Sequence, residues 1–163
     1  METPQKSKNW IFARNVVIVA VSCLATYYVY QHLKVTLTKS LSKRVFWSVK
    51  YDQKQNVKTG QYIIFDQYVP KPQNKMRTFI KKAGCTSGET LTVKNDDYFC
   101  DGEYIGHAKR KSLTGETMVP FVFNGKVPDG ATFAIGDHAD SFDSRYVGFI
   151  SRTRVKEVAW ALH

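Results

Sequence analysis

The chain has 163 residues and a formal net charge of +10, enough length for one domain with a packed core. Residues 1–14 contribute +2 and the remainder +8, so the body of the chain suits an anionic surface, either nucleic acid or membrane. No Lys/Arg stripe interleaved with aromatics, no zinc-ligand spacing and no Gly-rich phosphate loop accompanies that charge. Nucleic acid is therefore set aside in favour of membrane lipid, and no metal is expected.

The first element is an apolar run, Val16 to Tyr30, with no charged residue. Trp10-Ile11-Phe12-Ala13 lengthens it toward the ~20 residues a bilayer requires, provided Arg14 snorkels to the interface. Trp10 at one end and Tyr27, Tyr28 and Tyr30 at the other would form interfacial belts. Lys6, Lys8 and Arg14 precede the run and predict a cytoplasmic N-terminus. No small-x-small cleavage site follows it, so an uncleaved anchor is expected over a signal peptide. The expected organisation is residues 1–9 in the cytoplasm, 10–31 across the bacterial inner membrane, and 32–163 in the periplasm.

Cys23 falls within the apolar run. Cys85 and Cys100 fall in β-prone sequence, 15 residues apart. In a reducing compartment they would be two buried thiols; in the periplasm they are expected to form a disulfide.

Beyond the anchor the chain reads as short strands and frequent turns. Val45–Val49, Tyr62–Phe65 and Thr78–Lys82 come first. Leu91–Lys94 and Tyr98–Cys100 flank the hairpin signal Asn95-Asp96. Asp101-Gly102 turns toward Tyr104-Ile105, and Pro128-Asp129-Gly130 turns into Thr132–Ile135. Val155–Leu162 fits a strand or a short helix. The polar stretch Lys109–Gly125 reads as a long loop. A mainly β domain behind an N-terminal transmembrane helix is expected, as an open barrel or folded sheet.

Three segments carry residues suited to chemistry. Thr36 to Trp47 holds Thr38, Ser40 and Ser42; by composition alone it is a solvated linker. Phe79 to Glu89 holds adjacent lysines, Lys81 and Lys82. Side chains alternate along a strand, so one of the pair can face inward while the other stays wet. Gly136 to Phe149 is too polar for a buried strand. Gly136-Asp137 signals a turn, and Asp143 and Arg145 can pair through a two-pronged carboxylate–guanidinium contact. Taken alone, this last stretch is a structural turn.

As a pattern, Gly-Asp-x-x-x-Ser-x-Asp-Ser-Arg-Tyr-x-Gly-Phe over residues 136–149 resembles the C-terminal signature of the signal peptidase I superfamily. Its spacing is similar to that of the TraF-like, conjugative-transfer pilin-processing branch. The other two segments resemble that family's nucleophile and lysine segments, in the family's order. Ser42, Arg44 and Ser87 depart from the residues usual there.

The resemblance implies Ser40 as nucleophile and Lys81 as general base, with the Thr38 hydroxyl stabilising the oxyanion. Ser141 would hydrogen-bond the lysine, and Asp143 and Arg145 would brace the site. Ser42 is the rival nucleophile and His138 the rival base. A serine hydroxyl needs a base, and a solvated lysine is protonated at neutral pH; burial in an apolar wall, here expected from Phe79 and Ile80, makes it neutral. No cofactor is implied, and a monomer is expected. The implied activity is a membrane-anchored serine endopeptidase that processes, or cyclises, a membrane-embedded pilin precursor. A general signal peptidase and an inactive periplasmic scaffold remain the alternatives.

Overall fold

The computed structural model describes residues 4–69 and 74–162, in two compact units, 1–34 and 35–163. The first unit is the helix α1 (Pro4–His32). Within it Lys8–His32 is long and apolar enough to cross a membrane, and its side chains are exposed rather than packed. Those 25 residues span about 38 Å at ~1.5 Å per residue, more than the ~30 Å hydrocarbon core. The Arg14 guanidinium lies 5.5 Å from the centroid of the Trp10 ring, one turn back. Helical side chains lean toward the N-terminus, so Arg14 reaches the end at which Trp10 stands, as snorkelling requires.

Beyond the helix the chain forms two antiparallel sheets. The strands are β1 (Leu33–Val35), β2 (Val45–Lys50), β3 (Tyr62–Val69), β4 (Lys75–Thr86), β5 (Thr90–Lys94), β6 (Asp97–Cys100), β7 (Glu103–His107), β8 (Gly125–Lys126), β9 (Ala131–Ile135), β10 (Ile150–Ser151) and β11 (Val155–Ala161). The larger sheet runs β1-β2-β11-β3-β4-β9-β10 and the smaller β7-β6-β5-β8. The ambiguous C-terminal segment is thus a strand, with a 3-10 turn (Arg152–Arg154) before it. It pairs on both sides, with β2 and β3, and this tertiary pairing settles what local propensity left open.

Alternation sorts the apolar residues of the larger sheet. Ile63, Phe65, Ala83, Ala134 and Val158 enter one core, while Leu41, Phe46, Ile64 and Ala159 form another. A third core, around Leu91, Tyr98, Phe133 and Ile135, joins the sheets. Strand β9 serves two of these cores, Ala134 on one face and Phe133 and Ile135 on the other. Strand β4 crosses between them at an irregularity between Ala83 and Cys85. Gly84 occupies that point, where a Cβ would stand 2.8 Å from Ile135 Cγ2. A larger residue there would force the Ile135 side chain to shift.

Cys85 and Cys100 are joined in a disulfide that links β4 of the larger sheet to β6 of the smaller, and Cys23 is free. Glu89 lies beside the bridge, but its carboxylate is occupied by Thr86 N–H at 2.6 Å and Thr59 Oγ1 at 2.5 Å. The long polar stretch is not an idle loop. Its Phe121 and Phe123 stack edge-on against Phe149, and Phe149 in turn meets Phe133 of the third core.

Under denaturing, non-reducing conditions, thiol labelling is expected to modify Cys23 alone. Replacing Cys85 and Cys100 together by serine should lower unfolding stability by about 3 kcal/mol, the worth of closing a loop of this length.

Candidate active site

The site is built on the segment after β9. Asp143 caps the single helical turn α2 (Ser144–Val147) through its bond from Arg145 N–H. Its carboxylate is also held by the Arg145 guanidinium through two bonds, Nε to Oδ1 at 2.9 Å and Nη2 to Oδ2 at 2.7 Å. Gly136 N–H adds a fourth donor to the carboxylate, at Oδ2, 2.8 Å away. Both side chains of the pair are buried. The guanidinium spends its remaining protons on backbone carbonyls, chiefly His107 O at 2.7 Å and His138 O at 3.1 Å. Burial pulls the Arg145 pKa down, but its bonds and attraction to Asp143 outweigh this and raise it overall. The pair is therefore a fully satisfied buried ion pair, the kind whose geometry is stiff.

Around that pair the chain folds back on itself. Ser144 is buried, and its hydroxyl accepts Ala134 N–H at 2.9 Å, tying α2 to β9. Tyr98 Oη lies 2.7 Å from Phe121 O and 3.1 Å from Arg145 O, and Phe121 N–H donates to Arg145 O at 2.7 Å. Burial drives the Tyr98 pKa upward, so it remains a donor. Tyr146 Oη is bonded to the backbone of Lys109. The sequence reading took Ser144 only as a hydroxyl of the signature segment and missed Tyr98, whose one trace in the chain is a hydroxyl placed where an apolar residue would serve packing.

Lys81 projects from β4 into the first core and is 2% exposed, whereas Lys82 is exposed, as alternation requires. The register sets Ile63 opposite Lys81, and the Phe79 ring lies 5.9 Å from Nζ. Ile80, expected in this wall, instead faces the opposite side with Leu41 and Ile64. Lys81 Nζ donates to Ser141 Oγ at 2.6 Å in a buried contact. Burial lowers the Lys81 pKa to about 8; Asp143 and Asp137 oppose that shift, and Arg145 reinforces it. An amine in this state is neutral in a large fraction at mildly alkaline pH.

Ser40 lies half-buried in the turn between β1 and β2. Its carbonyl accepts His138 N–H at 3.3 Å. A Cβ on Gly136 would stand 2.3 Å from Ser141 Oγ and 2.7 Å from Ser40 O. Gly136 therefore permits three segments to meet: the Ser40 turn, Ser141, and through it Lys81. Among the described residues the Ser40 hydroxyl makes no hydrogen bond; what meets at Gly136 is the Ser40 carbonyl and Ser141, the partner of Lys81. Thr38 is exposed at the start of the turn. The rival nucleophile Ser42 is engaged elsewhere, its hydroxyl donating to Asp137 Oδ2 at 2.6 Å. The rival base His138 is half-exposed, with Nδ1 accepting Asp140 N–H at 3.2 Å.

A serine hydrolase needs a base that is neutral at working pH, and a buried amine bonded to a hydroxyl, as Lys81 is to Ser141, has that character. The comparison with protein families agrees with that class: the family described as signal peptidase, peptidase S26, matches residues 7–161. The chain belongs to this family, which is one of serine peptidases. A signal peptidase I from Enterococcus faecalis V583 is similar at 25% identity, covering 62% of this chain and 94% of that one, with a TM-score of 0.39. No curated protein matches.

Two measurements test the electrostatics. Asp143→Ala leaves the Arg145 charge buried without its partner and should cost about 3–5 kcal/mol in denaturant unfolding. Lys81 has a folded pKa of about 8, below its unfolded value, so folding expels a proton between the two values. Its contribution to stability should fall by roughly 3 kcal/mol as pH drops from about 10.5 to about 8, and stay level below. The difference in stability between wild type and Lys81→Met reads that slope.

Proposed function

We propose that this protein is a membrane-anchored serine endopeptidase of signal peptidase I type, acting through Ser40 and Lys81. The observation that carries the reading is the buried Lys81–Ser141 hydrogen bond beside the Ser40 turn, in a chain of the S26 family. In this reading a neutral Lys81 takes the Ser40 proton as Oγ attacks the scissile carbonyl. The bond to Ser141 fixes the rotation of the amine, and the Asp143–Arg145 pair holds the segment bearing Ser141. The Ser40 N–H and the Thr38 hydroxyl receive the oxyanion. The lysine then returns its proton to the departing amine, leaving an ester on Ser40.

The substrate we infer is a membrane-embedded pilin precursor of a conjugative transfer system, as the TraF-like spacing of the signature implies. The helix α1 would anchor the enzyme with its N-terminus in the cytoplasm and its catalytic unit in the periplasm. A groove of about 820 Å³ runs up to Ser141 and Phe79 and is lined by Val69, Leu113, Met118 and Phe142. Its apolar character suits an extended peptide of the same kind. Water attacking the Ser40 ester gives a linear product, whereas the precursor's own N-terminal amine gives a ring lighter by one water.

Ser40→Ala and Lys81→Met should each abolish processing of the precursor, by at least ~1000-fold, while leaving the circular dichroism spectrum unchanged. Their effects should not multiply, since either removes the same step. Lys82→Met should process normally. The wild-type rate should rise with pH to a midpoint near 8, because the base works only when deprotonated, at the pKa of about 8. A midpoint near 6.5 would indicate a histidine base instead. Intact mass of the product decides between hydrolysis and cyclisation.

A further inference from the structure

The turn that carries Ser40 is tied to the body of the domain at several points. Thr36 N–H closes its base on Arg44 O at 2.8 Å, and Leu41 is buried in the core it shares with Phe46 and Ile64. Leu41 fixes one side of the turn. The other side meets residues 136–138. There Asp137 Oδ2 accepts two donors from a single residue, Ser42 N–H at 2.8 Å and Ser42 Oγ at 2.6 Å. A further tie, His138 N–H to Ser40 O, is long at 3.3 Å.

Asp137 is well placed to transmit position. It follows Gly136, whose N–H is bound to the buried Asp143 carboxylate, which Arg145 immobilises. A rigid path therefore runs from the buried ion pair through Gly136 and Asp137 to Ser42, and Ser42 is two residues from Ser40. Both bonds on Oδ2 are charge-assisted, and the two donors restrain the backbone and the side chain of Ser42 together. The Ser40 hydroxyl itself has no hydrogen bond among the described residues, so its placement depends on the turn beneath it.

We propose that Asp137 and Ser42 form a latch that sets Ser40 against Lys81 and Ser141, both acting as positioning residues. The proposal rests on the assignment of Ser40 as nucleophile and Lys81 as base. It gives Ser42 a function that is distinct from nucleophilic attack, and gives Asp137 a function in the peptidase reaction. Displacement of a nucleophile by about 1 Å costs on the order of 100-fold in rate. Loss of the latch should therefore appear in the chemical step while the exposed surface around it leaves the fold intact.

The test uses the full-length protein in detergent micelles and p-nitrophenyl acetate, a small ester that needs no substrate groove. Ser40 Oγ attacks the acetyl carbonyl, the bond to p-nitrophenolate breaks, and Lys81 takes the hydroxyl proton. The gain of one acetyl group is located on Ser40 by peptide mass spectrometry and followed in time. Asp137→Ala should slow this acetylation ~10–100-fold, with the thermal midpoint moved by less than about 4 °C. Ser42→Ala keeps the N–H donor and should lose less; Ser42→Thr keeps both donors and should restore the wild-type rate. The double variant Ser42→Ala/Asp137→Ala should be no slower than Asp137→Ala alone. Should Asp137→Ala fold poorly, Asp137→Asn retains one acceptor oxygen and should fall between it and wild type. An unchanged rate in Asp137→Ala, or in Asp137→Asn where that is the variant used, overturns the latch; so do losses that multiply in the double variant, or Ser42→Thr behaving like Ser42→Ala. The assignment of Ser40 fails separately, if wild-type protein gains no acetyl group there or if Lys81→Met gains it at the wild-type rate.

Discussion

The buried Asp143–Arg145 pair is the constraint from which the catalytic side of this protein is organised. Two charges removed from water must satisfy one another and every remaining donor, or the fold loses several kcal/mol. Here the carboxylate takes the guanidinium, the Arg145 N–H and the Gly136 N–H, and the guanidinium takes carbonyls from His107 and His138. These partners come from β7, from the end of β9 and from the signature segment itself. Satisfying the pair therefore fixes where those segments stand. Ser141 and Gly136 fall within the loop so fixed, and they are the two residues that Lys81 and the Ser40 turn approach.

Lys81 illustrates a second constraint, opposed to the first. Among the described residues no carboxylate pairs with it directly; its bonded partner is a hydroxyl, and its surroundings are Ile63, Phe79 and the first core. Burial without a bonded counter-ion disfavours the cation, so more of the amine stands neutral and able to accept a proton, at the expense of stability near neutral pH. Asp143 lies close enough to oppose the shift, but Arg145 offsets it. An ion pair that is internally neutral can thus brace the lysine without fully restoring its charge.

The long polar stretch after β7 joins this arrangement through its backbone. Phe121 N–H and Tyr98 Oη converge on the Arg145 carbonyl, while Tyr146 holds Lys109. The stretch supplies Leu113 and Met118 to the groove that reaches Ser141. Its attachment to α2 means that the groove wall and the lysine's support share one anchor.

The sequence by itself determined the apolar helix, the β class and most strand positions, because uncharged length, alternation and turn residues are local properties. Alternation also dictated that Lys81 and Lys82 face opposite ways, and the signature spacing brought Asp143 next to Arg145. Local signals did not reach further. Whether Val155–Ala161 was strand or helix depended on its partners β2 and β3. What stands opposite Lys81 depended on register, which placed Ile63 there. Ser42 read as a rival nucleophile, and only the fold brought its hydroxyl to Asp137, 95 residues away. Gly136 read as a turn residue, but its lack of a side chain is what lets Ser40 and Ser141 approach. Only the tertiary structure decided these points, because each is a contact between segments that have no relation along the chain.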